Sequence, residues 1–405
     1  MPAAARGLRY DRAHTPMPAA RVPAASPEPS PIPRARMRRF LWRALPLLAL
    51  LHVFLALSLL PWLPAVAQGI GAAALLLSLL LIPAGLSSRL HAGRAWDLLA
   101  WLGFFDLGLF SSTLVLTLLR DLLMLWPQAR PWAGVSALLV PALALLVCLV
   151  GLVSARRVAR VVDVRVVLPG LPGALEGFTI VQISDLHVGP TIKAGLVRAV
   201  VARVNQLRPD LIAVTGDVVD GAVARLRAHT APLGDLHARH GAWLVPGNHD
   251  YYSGVHDWIT EFERLGLRCL LNEHAVLEHQ GARLLVAGVT DPQAHAFDPR
   301  HRSDPHQAVH GAPSGIPRIL LAHQPRSAFE AAKAGFDLQL SGHTHGGQFW
   351  PWNHVVRLQQ PFVAGLYRHG QLQIYVSRGT GYWGPPKRLG APSEITRIRL
   401  SAGLG

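Results

Sequence analysis

Four long apolar stretches in the first 160 residues constrain the fold of this chain more than any other feature. They occupy roughly residues 44–60, 65–86, 98–119 and 133–154. Each is close to the ~20 residues that a helix needs to cross the hydrocarbon core of a bilayer. Prolines, arginines and tryptophans gather at the breaks between them, as expected where helices leave a membrane. The pattern predicts a transmembrane region of about four helices over residues 44–156, in preference to a water-soluble helical bundle.

The basic charge of the chain is explained by the same membrane association. The net charge of +15 comes almost entirely from arginine, because only Lys193, Lys333 and Lys387 are lysines. A basic chain can bind nucleic acid or an anionic membrane surface. The charge lies mainly in residues 1–43 and beside the apolar stretches, which favours the membrane over nucleic acid. Residues 1–43 are rich in Ala, Pro and Arg, and we expect them to form a disordered tail.

The distribution of arginines also predicts an orientation. Arginines precede the first stretch, occur in the loop near residues 89–94 and follow the fourth stretch, whereas the opposite side carries only Arg120 and Arg130. By the positive-inside rule, both termini are expected in the cytoplasm, in a multi-pass protein of the inner membrane. Asp106 is the exception inside a stretch. It is either a functional intramembrane carboxylate or a residue at a helix end or helix contact.

After Arg160 the sequence has the alternating pattern of strands and helices that is typical of a globular α/β domain, which we assign to residues 160–405. Short β-branched runs predict strands and amphipathic segments predict helices. Strands are expected at 162–167, 178–184, 211–215, 242–245, 283–289, 318–322, 337–340, 372–376 and 395–400, and helices at 192–207, 222–237, 255–265 and 325–335. Residues 292–314 are predicted to be a solvated insertion, with a metal role left open for His295, His301, His306 and His310.

Five short segments of this domain share one arrangement, in which an apolar strand runs into a loop that presents Asp, Asn or His. Asp185 and His187 lie two residues apart, so in an extended backbone both side chains face the same way and can hold one cation. Asp217 can bridge two metals through its two oxygens. Any one such residue is usually a turn former or helix cap. Together the five predict a metal site, because ligands gather at the carboxyl ends of strands in α/β folds. The segments are Asp185-Leu-His187, Gly216-Asp217, Gly247-Asn248-His249-Asp250, His323, and Gly342-His343-Thr-His345.

This order of motifs, D-x-H, GD, GNHD, H and GH-x-H, resembles that of the calcineurin-like metallophosphoesterases over roughly residues 175–400. Flanking phrases at 377–381 and 391–395 look like the bacterial membrane-associated branch of that family. The resemblance implies an α/β fold of four layers, an αββα sandwich with two β-sheets packed face to face and helices outside. It also implies that His249 contacts the phosphate and assists the leaving group, with Asp250 orienting His249. The implied ligands of one metal are Asp185, His187, Asp217 and His345, and those of the second are Asp217, Asn248, His323 and His343.

The chemistry expected of such a site is phosphoester hydrolysis. Two divalent cations about 3.5–4 Å apart can clamp phosphate oxygens and convert a bridging water to hydroxide near neutral pH. We expect attack of this metal-bridging hydroxide on a phosphomonoester, phosphodiester or pyrophosphate. The mixed ligands suit Mn²⁺, Fe²⁺ or Zn²⁺ without choosing among them. A nuclease using the same site and a catalytically silent scaffold are the alternatives.

The substrate and the oligomeric state are left open by the sequence. The membrane region suggests a lipid-linked substrate, although an anchor can serve location alone. Specificity is expected from the loops at 251–258, 292–314 and 349–354, whose aromatic residues would stack on a base, face lipid or fill the core. Arg378 and Arg388 either bind a phosphate or are solvated at the surface.

Overall fold

The computed structural model describes residues 34–87 and 93–403 of the chain. In this part of the chain, four helices are long and apolar enough to cross a membrane. The number of helices agrees with the number of apolar stretches in the sequence. The helices are α1 (Arg34–Leu59), α2 (Ala65–Ser87), α3 (Arg94–Met124) and α4 (Ala133–Arg156).

Helix α1 begins inside the segment that was predicted to be a disordered tail. Residues 34–43 are helical and continue directly into the first apolar stretch. Arginine, methionine and leucine are good helix formers, so these residues extend a helix that the apolar segment has already nucleated. The rest of the predicted tail, residues 1–33, lies outside the described residues, as does most of the loop near residues 89–94.

The four helices pack through small residues and one buried arginine. A Cβ atom on Gly85 of α2 would lie 2.7 Å from the Cα of Gly103 on α3, so a side chain there would push the two helices apart. Arg120 on α3 is buried and donates hydrogen bonds to Ser136 Oγ on α4 and to Asp121. Its charge is therefore satisfied within the bundle.

The globular domain contains two six-stranded sheets. The strands of the first sheet are β1 (Arg160–Val167), β2 (Thr179–Ile183), β3 (Leu211–Val214), β4 (Ala242–Leu244), β5 (Leu267–Cys269) and β12 (Glu394–Ser401). Those of the second are β6 (Glu273–His279), β7 (Ala282–Gly288), β8 (Arg318–Leu321), β9 (Leu338–Ser341), β10 (Gly365–His369) and β11 (Leu372–Val376). The spatial orders are β1-β12-β2-β3-β4-β5 and β10-β11-β9-β8-β7-β6. Strands β2 to β5 are parallel to one another, and so are β7, β8 and β9.

The two sheets pack face to face, and helices cover their outer surfaces. Alternate residues of each strand point to opposite faces, so Ile180 faces the core between the sheets and Val181 faces the helices. On the first sheet these helices are α5 (Ala194–Gln206) and α8 (Val255–Arg264), and on the second sheet the covering helix is α10 (Ala328–Lys333). The predicted four-layer α/β fold is confirmed. Four further α-helices of the described domain are α6 (Val223–Thr230), α7 (Asn248–Tyr252), α9 (Pro305–Ala308) and α11 (Trp352–Val355).

Strands are present at all nine predicted positions, and three further strands were not predicted. These are β5, β6 and β10, each of which lies at the end of a sheet. The side chains of β6 and β10 are largely half-buried or exposed, and their sequences mix charged and apolar residues. An end strand can carry polar side chains because one of its edges faces solvent, so it lacks the continuous apolar run that identified the central strands.

Candidate metal centre

The five motif loops converge at one edge of the two sheets. Strands β2, β3 and β4 are neighbours in the first sheet, and the loops that follow them carry the motifs of Asp185, Asp217 and Asn248. Strands β8 and β9 are neighbours in the second sheet and lead to His323 and His343. Parallel neighbours end at the same edge, which explains how motifs far apart in the sequence meet in one place.

Asp185, His187 and His345 form the first cluster of candidate ligands. The Nε2 atoms of His187 and His345 lie 3.0 Å apart, and His345 Nε2 lies 3.4 Å from Asp185 Oδ1. One ligand atom from each residue lies within 4.8 Å of the others. All three side chains are buried, so these nitrogen and oxygen atoms face one another in a site with little access to solvent.

Asp217, His323 and His343 form the second cluster. Asp217 Oδ2 lies 3.2 Å from His323 Nε2, and His343 Nδ1 lies 3.2 Å from the same nitrogen. Asp217 Oδ2 also lies 3.7 Å from His187 Nε2 of the first cluster. The Asp217 carboxylate therefore stands between the two clusters, which is the position that a bridging ligand requires.

Asn248 supplies an independent test of whether these residues fit a metal. Its side chain is only 6% exposed, and its Oδ1 atom has no hydrogen-bond partner among the described residues. A buried polar atom without a partner costs roughly 1–3 kcal/mol, and a cation would remove that cost. Carboxylate, amide and imidazole donors together suit a divalent transition metal. The residues present therefore fit a divalent metal site.

Backbone strain is concentrated in the same residues. Nine non-glycine residues in the described part of the chain have positive φ angles, and five of them are predicted ligands. Such conformations cost of order 1–3 kcal/mol each and persist where the surrounding fold enforces them, often at functional sites. Gly342 is needed for close approach, since a Cβ atom there would overlap Ser184 Oγ and Asp185 Oδ2. The five ligands are Asp185 (φ 55°), His187 (49°), Asp217 (53°), His343 (70°) and His345 (52°).

His249 is held by a carboxylate that the sequence did not single out. Its Nδ1 atom lies 2.6 Å from Asp220 Oδ1, and the other oxygen of Asp220 lies 3.2 Å from His187 Nδ1. One carboxylate thus holds the predicted acid and lies beside a predicted ligand. The available signal was the second aspartate of the segment Gly216-Asp217-Val-Val-Asp220, three residues after the predicted bridging ligand.

The prediction that Asp250 orients His249 is wrong. Asp250 is fully buried, and its carboxylate accepts hydrogen bonds from the backbone N–H groups of Val218 (2.9 Å), Val219 (3.1 Å) and Gly247 (2.8 Å). Both residues lie in the first turn of α7, where successive side chains are rotated by about 100°. His249 therefore faces Asp220 while Asp250 faces the loop after β3. The role of Asp250 is to join two ligand-bearing loops.

Burial and neighbouring charges set the protonation of the clusters. Although burial opposes it, His323 holds the pKa of Asp217 well below its usual range. Asp217 in turn raises the pKa of His323 above the usual value, again against the effect of burial. Burial lowers the pKa of His343 to about 3. Burial and the Arg388 guanidinium together lower the pKa of His345 well below normal. At neutral pH, His343 and His345 are neutral and can act as ligands.

Arg388 lies behind the first cluster and is neither solvated nor free to bind a phosphate. It is 1% exposed, and its guanidinium donates to the backbone oxygens of Gly381 and Arg378. One of its nitrogens, Nη2, lies 3.0 Å from His345 Nδ1. Both alternatives that the sequence left open for Arg388 are therefore wrong, because protein oxygens already occupy its donors. Arg378 is partly exposed and forms an ion pair with Glu394 (2.9 Å).

The histidines of residues 292–314 are not part of the two clusters. His295, His306 and His310 are exposed. His301 lies in a separate group with His256 and Asp298, and its Nδ1 atom is 2.8 Å from the hydroxyl of Tyr251. The insertion is thus tied to helix α7, which begins at Asn248, without supplying a residue to either cluster.

Two packed sheets thus carry a cluster of Asp, Asn and His at their common edge. The family model of calcineurin-like phosphoesterases matches residues 178–347. A metallophosphoesterase of Campylobacter jejuni is 31% identical over 296 residues, which are 72% of this chain and 78% of that protein. A metallophosphoesterase of Aquifex aeolicus is 32% identical over 232 residues, 57% of this chain and 87% of that protein. The chain belongs to the calcineurin-like metallophosphoesterase family.

A vertebrate relative also combines a metallophosphoesterase domain with a transmembrane region. The "transmembrane protein with metallophosphoesterase domain" of Danio rerio is 40% identical over 258 residues, which are 62% of this chain and 59% of that protein. The match thus spans less than two thirds of the relative's length. The four apolar helices and this relative together indicate a membrane protein.

Proposed function

We propose that this protein is a membrane-anchored phosphoesterase that hydrolyses a phosphomonoester, a phosphodiester or a pyrophosphate with two divalent cations. The position of Asp217, 3.2 Å from His323 Nε2 and 3.7 Å from His187 Nε2, is the observation that carries the proposal. A carboxylate between two clusters of ligands suits a pair of metals better than a single one. Asp185, His187 and His345 would complete the first site, and Asn248, His323 and His343 the second. Mn²⁺, Fe²⁺ and Zn²⁺ all suit these donors.

The cations and individual side chains would have different roles in the hydrolysis. When bound, the cations supply Lewis acidity toward the phosphate oxygens and the water that attacks phosphorus. As an imidazolium, His249 would donate from Nδ1 to Asp220 and, with Nε2 facing the phosphate, give the Nε2 proton to the leaving oxygen, which leaves a neutral imidazole. The rings of Tyr252 and Trp383 lie 5.2 and 5.5 Å from that of His249 and limit its movement.

The test is hydrolysis of p-nitrophenyl phosphate and bis-p-nitrophenyl phosphate by the full chain in detergent with Mn²⁺. We expect turnover of at least one ester, and a loss of at least 100-fold in His345→Ala because a ligand is removed. His306→Ala, which changes an exposed histidine of the insertion, is the matched control and should keep full activity. No turnover with any divalent metal would favour the catalytically silent scaffold. A salt-dependent shift of DNA together with its cleavage would favour a nuclease.

We further propose that the catalytic domain lies in the cytoplasm, at the inner membrane. The proposal is supported by the arginines that flank the first and fourth helices. The two arginines counted on the opposite side do not weigh equally against it. Arg120 is buried within the bundle and paired with Asp121 (2.7 Å), so it contributes little net charge to that loop.

A further inference from the structure

A cavity of about 520 Å³ lies between the metal centre and the membrane helices. At one end it is lined by His343 and His345, one from each cluster of candidate ligands. One wall is formed by the segment 347–359, together with Trp383. The facing wall is formed by α1 and α3, through Leu51, Leu107, Phe110, Ser111 and Leu114. We call this cavity the groove. Most of its lining is apolar, although one end lies at the candidate metal ligands.

The walls of the groove are joined by direct contacts. Trp352 Nε1 donates to Ser111 Oγ on α3 (2.9 Å), and the ammonium of Lys387 contacts the hydroxyl of Ser112 on the same helix. The backbone N–H of Arg388 donates to the Gly151 oxygen on α4 (3.0 Å). Because Arg388 also contacts His345, the segment that supports the first cluster is bonded to the membrane region. The groove is therefore a built feature between two packed parts.

The groove lies beside the apolar part of a membrane helix. Helix α3 has 31 residues and is about 46 Å long, whereas the hydrocarbon core is about 30 Å thick. Leu107 to Leu114 lie at the middle of this helix and within the apolar stretch 98–119. The groove is therefore lined by the apolar middle of the helix and not by its charged ends.

The facing segment of the catalytic domain is also suited to contact with lipid. Trp350, Trp352, Val355 and Leu358 are exposed, and Leu358 is 86% exposed. Exposed tryptophans beside aliphatic residues are typical of segments that insert at a membrane interface. Of the roles that the sequence left open for the aromatics of 349–354, the exposure of Trp350 and Trp352 disfavours the core role, and the hydrogen bond of Trp352 places it against a membrane helix.

We propose that the groove binds the hydrocarbon chain of an amphiphilic phosphoester substrate, whose phosphate group lies at the metal centre. This inference rests on the proposed function and specifies its substrate class. A water-soluble ester would leave the apolar wall of α1 and α3 unused, whereas an alkyl chain can pass from the bilayer along α3 to the ligands. Removing each methylene group from water changes a binding constant by about fourfold. The groove therefore selects for chain length, and the metal centre selects for the phosphate.

The first experiment compares methyl, butyl and octyl p-nitrophenyl phosphates, or the matching alkyl phosphates if only monoesters are turned over. Wild type is compared with Leu114→Trp, which fills the groove, in the same detergent. Leu122→Trp is the control, because Leu122 lies on the same helix, is exposed and does not line the groove. We expect the octyl-to-methyl ratio of kcat/KM to fall at least tenfold in Leu114→Trp and to be unchanged in the control.

The outcomes separate the inference from the proposed function. Turnover with the same octyl-to-methyl ratio in wild type and Leu114→Trp would overturn the groove as a substrate site while leaving the phosphoesterase intact. No turnover of any of the three esters by wild type, with any divalent cation, would overturn the proposed function itself. Methyl ester turnover by Leu114→Trp shows that this variant is folded.

A second readout does not depend on activity. A photoreactive diazirine analogue of hexadecyl phosphate should crosslink to residues 107–114 and 349–356 of the wild-type chain, as mapped by mass spectrometry. Hexadecyl phosphate should compete with the crosslinking at least tenfold better than hexadecanol, because the phosphate adds its own contacts at the metal centre. Equal competition by hexadecanol would mean that the groove holds an ordinary bilayer lipid, and it would overturn the proposal. Crosslinks confined to other helix faces would do the same.

Discussion

The pairing of Asp220 with His249 gives the sharpest test of the proposed chemistry. Asp220→Asn keeps the size of the side chain but removes the negative charge 2.6 Å from His249 Nδ1 and 3.2 Å from His187 Nδ1. A hydrogen bond to a charged group contributes about 1.5–3 kcal/mol, and each 1.36 kcal/mol corresponds to tenfold in rate. We therefore expect kcat to fall by about 10- to 100-fold.

The effect of Asp220→Asn on metal affinity needs to be separated from its effect on kcat, because Asp220 lies beside both the proposed acid, His249, and a proposed metal ligand, His187. Loss of a partner that orients a ligand typically costs about 10- to 100-fold in metal affinity. Initial rates should therefore be measured over a titration with Mn²⁺, so that kcat is taken at saturation. Asp257→Asn, an identical change at an exposed position of α8, should behave as wild type. A kcat for Asp220→Asn within twofold of wild type at saturating Mn²⁺ would refute the orienting role of Asp220.

Three further predictions follow from other parts of the structure. Asp250→Ala leaves three buried N–H groups without an acceptor, so the free energy of unfolding should fall by at least about 3 kcal/mol, measured by thermal unfolding in detergent. Mn²⁺ at 100 times its Kd should stabilise the wild type by about 2.7 kcal/mol, and Asp217→Asn should lose most of this gain. Burial and the nearby His279 lower the pKa of His240, whose Nε2 lies 3.0 Å from His279 Nδ1, so protonation is resisted in the folded state. Stability should therefore fall as pH drops through about 6.5, the value in the unfolded chain, and His240→Asn should reduce that fall.

Each of these predictions has an outcome that contradicts it. An Asp250→Ala chain as stable as wild type would show that water satisfies the three backbone groups. Equal stabilisation of wild type and Asp217→Asn by Mn²⁺ would place the cation elsewhere. An unchanged pH profile in His240→Asn would assign the acid sensitivity to other groups.

Several features of the fold were predictable because they are local in the sequence. A helix that crosses a membrane needs an unbroken apolar segment, and the four segments are present in the chain itself. A central strand covered on both faces needs a continuous apolar run, which marked β2, β3, β8 and β9. The loops after these strands carry Asp or His in sequence. The same reasoning failed for β6 and β10, because a strand at the end of a sheet does not need such a run.

The roles of individual polar residues were not predictable in the same way. Asp250 is a predicted site residue and Asp220 lies three residues after one, and nothing local shows which of the two binds His249. The orientation of helix α7 about its own axis decides which way each side chain points. His249 faces Asp220, and Asp250 faces the backbone of Val218 and Val219. Arg388 offered two plausible surface roles from sequence, yet it is buried behind His345. In each case the partner belongs to a different strand or loop, so only the packed structure identifies it.

The sequence by itself determined that this chain combines about four membrane helices with a metallophosphoesterase domain. Both features are formed by consecutive residues: the length of each apolar segment, and the motif that follows each strand. The tertiary structure decided how the two parts are combined. It brings Leu107–Leu114 of α3 opposite the segment that follows His345 and so encloses the groove. No periodicity or motif encodes that juxtaposition, because it depends on contacts between residues more than 200 positions apart, such as Ser111 and Trp352.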